Sequence, residues 1–268
     1  MTIEELIKST NINKHEAKII ISHVLNCSKI ELITLFDKYI QSSKIRIIKN
    51  LFQRRINGEP IAYLTGKREF YGLEFRVTPD VLIPRHETEL LVDIAKDFLP
   101  SKGKALDLGT GAGPIIISIA NHRKDGKYLG VDVCKKALKI ARFNAIKNKV
   151  NVKFISSNWF SGIKDKFDLI LCNPPYIAFN DPHLSRGDLI FEPKLALTDG
   201  SDGLNSIKKI VFLAPEYLKK GGWLFIEHGF NQSIQVKNLF SEKLWSEIQS
   251  HKDLSGFNRI FGAQLIKL

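Results

Sequence analysis

Apolar positions recur at intervals of three and four through residues 1–57. Ala17, Ile20, Ile21, Val24 and Leu25 make one such face, and Ile45, Ile48, Leu51, Phe52 and Ile56 make another. That spacing is the helical one, so the segment predicts a small helical bundle. Asn13 stands where an N-cap belongs, and Gly58 with Pro60 ends the last helix. The pattern then changes. Phe70 to Val77 reads as strand, with a turn at Thr78-Pro79-Asp80, and two such strands would form a hairpin between domains. Pro84-Arg85-His86-Glu87-Thr88-Glu89 opens an amphipathic helix from Leu90 to Leu99. The polar groups of Arg85, Thr88 and Glu89 either start that helix or face a ligand.

From Lys104 onward strand and helix patterns alternate. Strands are predicted at 104–108, 128–133, 152–156, 167–172 and 223–227. Helices start at 114, span 135–147, run up to Lys219 and follow the strand at 223–227; a closing strand pair lies near 244–250 and 257–266. Such alternation implies an α/β fold with a mainly parallel sheet covered on both faces.

Two of these strands end in unusual residues. The first runs into Gly109-Thr110-Gly111-Ala112-Gly113-Pro114. Its glycines permit positive φ and close approach of a ligand, and Pro114 suits the first helical position, where a missing N–H costs nothing. Asp132 closes the next strand, where dinucleotide-binding folds place an acid on ribose hydroxyls. That geometry serves NAD or S-adenosylmethionine alike. The apolar run Leu169-Ile170-Leu171-Cys172 stops at Asn173-Pro174-Pro175-Tyr176. Neither proline can donate to a ladder, which puts Asn173 at a strand's carboxyl end and Tyr176 in the loop beyond. In open α/β sheets that edge is where ligands bind.

The tetrapeptide suits a planar NH2 group whose lone pair is conjugated and weakly nucleophilic. Asn173 offers a side-chain carbonyl, Pro174 a backbone carbonyl held extended by the following proline, and Tyr176 a flat apolar wall. Two acceptors can bind both amide hydrogens and aim the nitrogen at a methyl sulfonium, so that orientation supplies most of the catalysis. Such a reaction calls for neither a metal nor a strong base.

Composition narrows the classes further. The 268 residues, 44% of them hydrophobic, suffice for one large domain and a small one. No apolar run approaches the ~20 residues of a membrane span, and the N-terminus is acidic and helical in pattern rather than a basic signal. A cytoplasmic protein without membrane attachment is expected. Cys27, Cys134 and Cys172 have no C-x-x-C spacing, and the seven histidines show no H-E-x-x-H arrangement, so neither a disulfide framework nor a zinc site is suggested. A net charge of +12 favours a polyanionic neighbour such as RNA or a ribosomal partner, although scattered lysines produce the same excess through composition. The alternative reading is an amino-group methyltransferase of adenine-N6 type acting on DNA or RNA. It would need a recognition module, and the N-terminal helices carry no aromatic-plus-basic platform, so no stable nucleic-acid binding is expected. A ligand-binding module without turnover would tolerate loss of the glycine turn or of Asn173, and both are intact. A dehydrogenase has no use for Asn-Pro-Pro-Tyr.

Asn-Pro-Pro-Tyr is shared by methyltransferases acting on amide or exocyclic amino nitrogens. Around it stand Gly58-Glu59-Pro60-Ile61-Ala62-Tyr63-Leu64-Thr65-Gly66, Leu82-Ile83-Pro84-Arg85-His86-Glu87-Thr88-Glu89, Asp181-Pro182-His183-Leu184 and Phe191-Glu192-Pro193. With these motifs in this order the chain resembles the release-factor glutamine methyltransferases from about residue 58 to its end, and less closely over the N-terminal helices. The resemblance implies a helical bundle over 1–60 that docks the release factor, a β-hairpin linker over 61–84, and a Rossmann-like seven-stranded class I methyltransferase domain over 85–268. It implies S-adenosylmethionine as cofactor and N5-methylation of the glutamine in the Gly-Gly-Gln motif of peptide chain release factors; a monomer is expected. Carried onto this sequence, Gly109, Thr110, Gly111, Ala112 and Gly113 wrap the methionine end of the cofactor, Asp132 takes the ribose hydroxyls and Trp159 lies near the adenine. Asn173, Pro174, Pro175 and Tyr176 hold the glutamine; Asn173, Pro174 and Tyr176 are the catalytic set, and Asn173 also borders the cofactor. Two positions depart from the family pattern. His86 stands where a second proline is common, and Pro114 follows the glycine turn.

Overall fold

The computed structural model describes residues 1–266. They divide into two compact units, the first comprising 1–67 with 186–191 and the second 68–185 with 192 onward.

In the first unit five helices, α1 (Ile3–Lys8), α2 (Lys14–Leu25), α3 (Lys29–Thr34), α4 (Ser42–Ile56) and α5 (Ile61–Thr65), enclose a core that includes Ile3, Leu6, Ile20, Ile21, Ile48 and Phe52. The helical period read from the chain therefore points the expected residues of α2 and α4 inward, except Ile56, which ends α4 exposed. Asn13 caps α2 by accepting from the His15 N–H at 2.8 Å. Thr2 and Ser28 each form a reciprocal capping box, with Glu5 and Glu31. Arg55 ties α4 to α2 through Glu16 at 2.9 Å.

The second unit opens with a hairpin of β1 (Lys67–Phe70) and β2 (Leu73–Arg76). The sequence pattern suggested one strand across Phe70 to Val77. Instead the chain reverses at Tyr71 and Gly72, whose φ angles of 52° and 72° are those of a primed hairpin turn. The alternating residues on either side conceal it, because tyrosine is an uncommon first residue for such a turn.

Seven strands follow: β3 (Lys104–Leu108), β4 (Lys127–Asp132), β5 (Lys153–Ser156), β6 (Phe167–Cys172), β7 (Leu218–Glu227), β8 (Trp245–Lys252) and β9 (Asn258–Leu265). Their order is β5-β4-β3-β6-β7-β9-β8; β9 runs antiparallel to both of its neighbours, β7 and β8, and the other pairings are parallel. The strand at 223–227 begins earlier than its apolar run indicates, at Leu218, with a register shift where Phe167 gives way to Leu169 as partner. On one face pack α6 (Glu89–Phe98), α7 (Pro114–His122) and α8 (Lys135–Lys147), which contribute Leu91, Val92, Ile116, Ile119 and Leu138 to a core with Ala105 and Leu171. On the other, α10 (Asn205–Tyr217) and α11 (Ser233–Lys237) bury Ile207, Ile210 and Val236 against Leu106 and Ile170. A short α9 (Lys194–Leu197) lies between these layers in sequence. Successive strand residues thus serve opposite cores, the reason the strands read as continuous apolar runs. Among the described residues no helix is long and apolar enough to cross a membrane.

One strand contact is unusually close. Gly262 lies directly opposite Phe225 in the β7–β9 pairing, and a Cβ there would stand 2.1 Å from the Phe225 ring. That ring is stacked on Trp223 and wedged against Phe98, so it cannot give way. Gly262→Ala is expected to destabilise the fold by about 2–3 kcal/mol through overpacking, measurable as a lowered denaturant midpoint.

Candidate active site

The strand register assembles the site. Leu108 pairs with Val131 on one side and Cys172 on the other, and Cys172 pairs with Ile226. The next residue along each strand or strand end is Asp132, Gly109, Asn173 and Glu227, so these four form one row across the carboxyl edge of the sheet.

The glycine turn occupies the middle of that row. Gly109, Gly111 and Gly113 have φ of 70°, 55° and 84°, values that disfavour any side chain. Their surroundings separate their roles. A Cβ on Gly113 would lie 2.7 Å from Ile117, so this glycine lets α7 pack closely; a Cβ on Gly111 would meet nothing within 4 Å, so this glycine faces open space. Gly113 caps α7 and Pro114 occupies its first turn, as the sequence suggested. Thr110 turns back into the sheet, its N–H donating to Val131 O at 2.8 Å and its hydroxyl to Asp107 Oδ2 at 2.6 Å. Ala112 is buried and serves packing. Asp132 accepts from the Gly111 N–H at 2.9 Å and the Cys134 N–H at 2.8 Å, with the Val133 N–H also turned to its carboxylate, while burial raises its pKa. Trp159, with φ of 55°, brings its ring within 3.6 Å of a Cβ position on Gly109. A strained non-glycine backbone beside such a turn suits a ligand wall.

Asn173 follows β6, half-buried, and donates from Nδ2 to Thr88 Oγ1 at 3.0 Å. Among the described residues neither its Oδ1 nor the carbonyl of Pro174 accepts a hydrogen bond. Tyr176 donates its hydroxyl to Glu227 Oε1 at 3.1 Å, and its own carbonyl accepts from Gln232 Nε2 at 2.9 Å. Pro175 lies between them, partly exposed. Burial and the neighbouring Glu227 carboxylate raise the Tyr176 phenol well above its ordinary range, so it stays a donor.

Of Arg85, Thr88 and Glu89 at the start of α6, only Thr88 reaches this edge. Arg85 pairs instead with buried Glu192, which also accepts from the Ile83 N–H at 3.0 Å; Glu89 accepts from the Tyr71 N–H at 2.9 Å. The two carboxylates hold down the loop and the hairpin and so draw Arg85 and Glu89 away from the glycine turn. His86, which stands where a proline is common, is exposed and begins a short 3-10 turn, His86–Thr88. Asp107 and Glu227 were not singled out by the sequence. Both are buried acidic residues, and burial pushes each carboxyl up to about 7. The available signal was a carboxylate inside or at the end of an apolar strand.

Comparison with known proteins agrees with this geometry. Residues 86–200 match a family model described as Methyltransferase small domain, and residues 2–66 one described as PrmC N-terminal domain. A release factor glutamine methyltransferase of Burkholderia pseudomallei is 41% identical over 274 residues, covering 98% of this chain and 96% of that protein. The chain belongs to the release factor glutamine methyltransferase family. A second relative of the same description, from Neisseria gonorrhoeae, is 40% identical, with 97% of this chain and 96% of the relative covered. The class I methyltransferase fold of the family is matched by a Pyrococcus furiosus methyltransferase with a TM-score of 0.58 at 20% identity, over 82% of this chain and 100% of that one. A 16S rRNA N2 methyltransferase of Thermus thermophilus, solved with AdoMet and guanosine, matches with a TM-score of 0.55 at 18% identity, over 74% of this chain and 49% of that one.

S-adenosylmethionine, the methyl donor of this family, fits the residues present. The open side of Gly111 would admit an aminoacyl chain, the Asp132 carboxylate would accept from a ribose diol, and the Trp159 face would offer a purine a stacking surface.

Proposed function

We propose that the chain transfers a methyl group from S-adenosylmethionine to the N5 amide nitrogen of the glutamine in the Gly-Gly-Gln motif of peptide chain release factors. The observation that carries the reading is the pair of unengaged acceptors, Asn173 Oδ1 and the Pro174 carbonyl, one strand over from the glycine turn. The full-length likeness to release factor glutamine methyltransferases supports the substrate.

In this reading the cofactor is held by the Gly109–Gly113 turn, through its open side at Gly111 with Thr110, Ala112 and Gly113 fixing the turn's shape, and by Asp132 and Trp159. When bound, S-adenosylmethionine supplies an electrophilic methyl group, its carbon–sulfur bond breaking as the amide nitrogen's lone pair forms the new carbon–nitrogen bond. Asn173 and Pro174 accept the two amide N–H bonds and fix the nitrogen in line, the principal contribution of the site. Tyr176 and Pro175 wall the amide plane. After transfer the nitrogen carries a proton too many, acidic enough to pass to water. The N-terminal helical unit docks the release-factor body, and the protein acts as a cytoplasmic monomer. Labelled S-adenosylmethionine offered with release factor, its glutamine→alanine variant, DNA and total RNA tests the reading. Label confined to the intact release factor is expected, and label on nucleic acid would overturn it.

A further inference from the structure

The methyl-transfer scheme leaves one buried ionisable group at the sheet edge without a task. Glu227, 1% exposed, accepts from the Thr88 hydroxyl at 2.8 Å through Oε2 and from Tyr176 at 3.1 Å through Oε1. Thr88, 3% exposed, is also the acceptor for Asn173 Nδ2. A chain of three hydrogen bonds therefore runs from the Asn173 carboxamide through Thr88 to Glu227 and out to the Tyr176 ring.

Resting on the proposed glutamine chemistry, we propose that Glu227 and Thr88 are positioning residues that decide which end of the Asn173 carboxamide faces the substrate amide. A hydroxyl has one proton to give. An ionised carboxylate only accepts, so it claims that proton, and Thr88 Oγ1 can then only accept from Asn173. This turns Nδ2 toward Thr88 and leaves Oδ1 for the substrate N–H. A protonated Glu227 reverses the chain. It donates to Thr88, Thr88 donates to Asn173 Oδ1, and the amide presents its NH2 to the NH2 of the substrate, donor against donor. The same carboxylate anchors Tyr176, so one ionisation sets both the acceptor and the wall.

The surroundings place this switch near neutrality. Burial raises the Glu227 carboxyl to about 7, with Glu87 pushing the same way; the two hydroxyls and Arg259 on β9 oppose it. Arg259 is itself paired to Asp253 at 3.0 Å. His228, the next residue, is kept neutral by burial, its Nδ1 directed at the Gly229 carbonyl at 2.8 Å. Asp107 is also raised to about 7, but it sits beneath the glycine turn, so its titration shows in cofactor affinity rather than in turnover.

The test measures kcat, KM for release factor and cofactor Kd from about pH 5.5 to about pH 8.5 for wild type, Thr88→Val, Thr88→Ser and Glu227→Gln. Wild-type kcat is expected to rise about tenfold through neutrality, and the rise to vanish in Glu227→Gln, whose carboxamide cannot ionise. Thr88→Val should lower kcat about 10- to 100-fold with cofactor Kd unchanged, and Thr88→Ser should stay within about threefold of wild type. A readout independent of turnover is the denaturant midpoint. A carboxyl raised in the folded state stabilises fully below its unfolded pKa and loses that contribution as pH rises through the folded value, so Glu227→Gln should gain on wild type between about pH 5 and about pH 8. The proposal is overturned if the rise in kcat persists in Glu227→Gln, if Thr88→Val turns over like wild type, or if Thr88→Ser is as slow as Thr88→Val. Should Thr88→Val fail to fold, the pH profile of Glu227→Gln decides alone. A wild-type protein inert toward release factor would instead remove the substrate reading, while the pH-dependent gap in midpoints would remain.

Discussion

Asn173→Ala is expected to lower the turnover of release-factor methylation by two or more orders of magnitude, while S-adenosylmethionine binds within about twofold of its wild-type affinity. The substitution deletes the Oδ1 acceptor and, with Nδ2, the bond to Thr88 at 3.0 Å. The Pro174 carbonyl then holds one amide hydrogen alone, and the amide can rotate about that bond. An oriented amide next to a methyl donor gains most of its rate from being fixed there. On the proposed reading the cofactor is held by β3, β4 and the loop at Trp159, whose hydrogen bonds the substitution leaves in place. Calorimetric titration of S-adenosylmethionine beside a saturated rate measurement separates the two effects, and a near-normal rate would contradict the two-acceptor account.

Asp132→Ala should show the opposite division. Its carboxylate ties down the glycine turn through the Gly111 amide and is itself held by the Cys134 amide. Alanine loses both the order of the turn and the acceptors for a ribose diol. Hydrogen bonds to a charged acceptor contribute about 1.5–3 kcal/mol each, and about 2.7 kcal/mol corresponds to a 100-fold change in binding. Cofactor Kd is therefore expected to weaken about 100-fold, with kcat at saturating cofactor changed less than about threefold. An unaltered Kd would remove Asp132 from the cofactor site.

Much of this architecture is visible before folding. Helix 135–147 and strand 167–172 have the limits the pattern assigns them, because apolar runs there stop abruptly at polar or proline residues. The hairpin was misplaced because Tyr71 adopts a positive φ that its side chain does not advertise. In the site, Gly109, Asp132 and Asn173 are readable because each closes or follows a strand, and strand ends share an edge. Thr88 was readable as a polar candidate but not as the partner of Asn173, which lies 85 residues away. Arg85 was drawn off by Glu192, 107 residues distant, for the same reason. The place of Glu227 depends on the β6–β7 register, and an apolar run carries no record of the register at which it pairs.

The most direct measurement of the central claim is mass spectrometry of release factor treated with this protein and S-adenosylmethionine, with fragmentation across the Gly-Gly-Gln segment. One added methyl group on the glutamine side-chain nitrogen, absent with Asn173→Ala, is the expected result. A methyl group on any other residue, or an unmodified glutamine beside labelled nucleic acid, would contradict it.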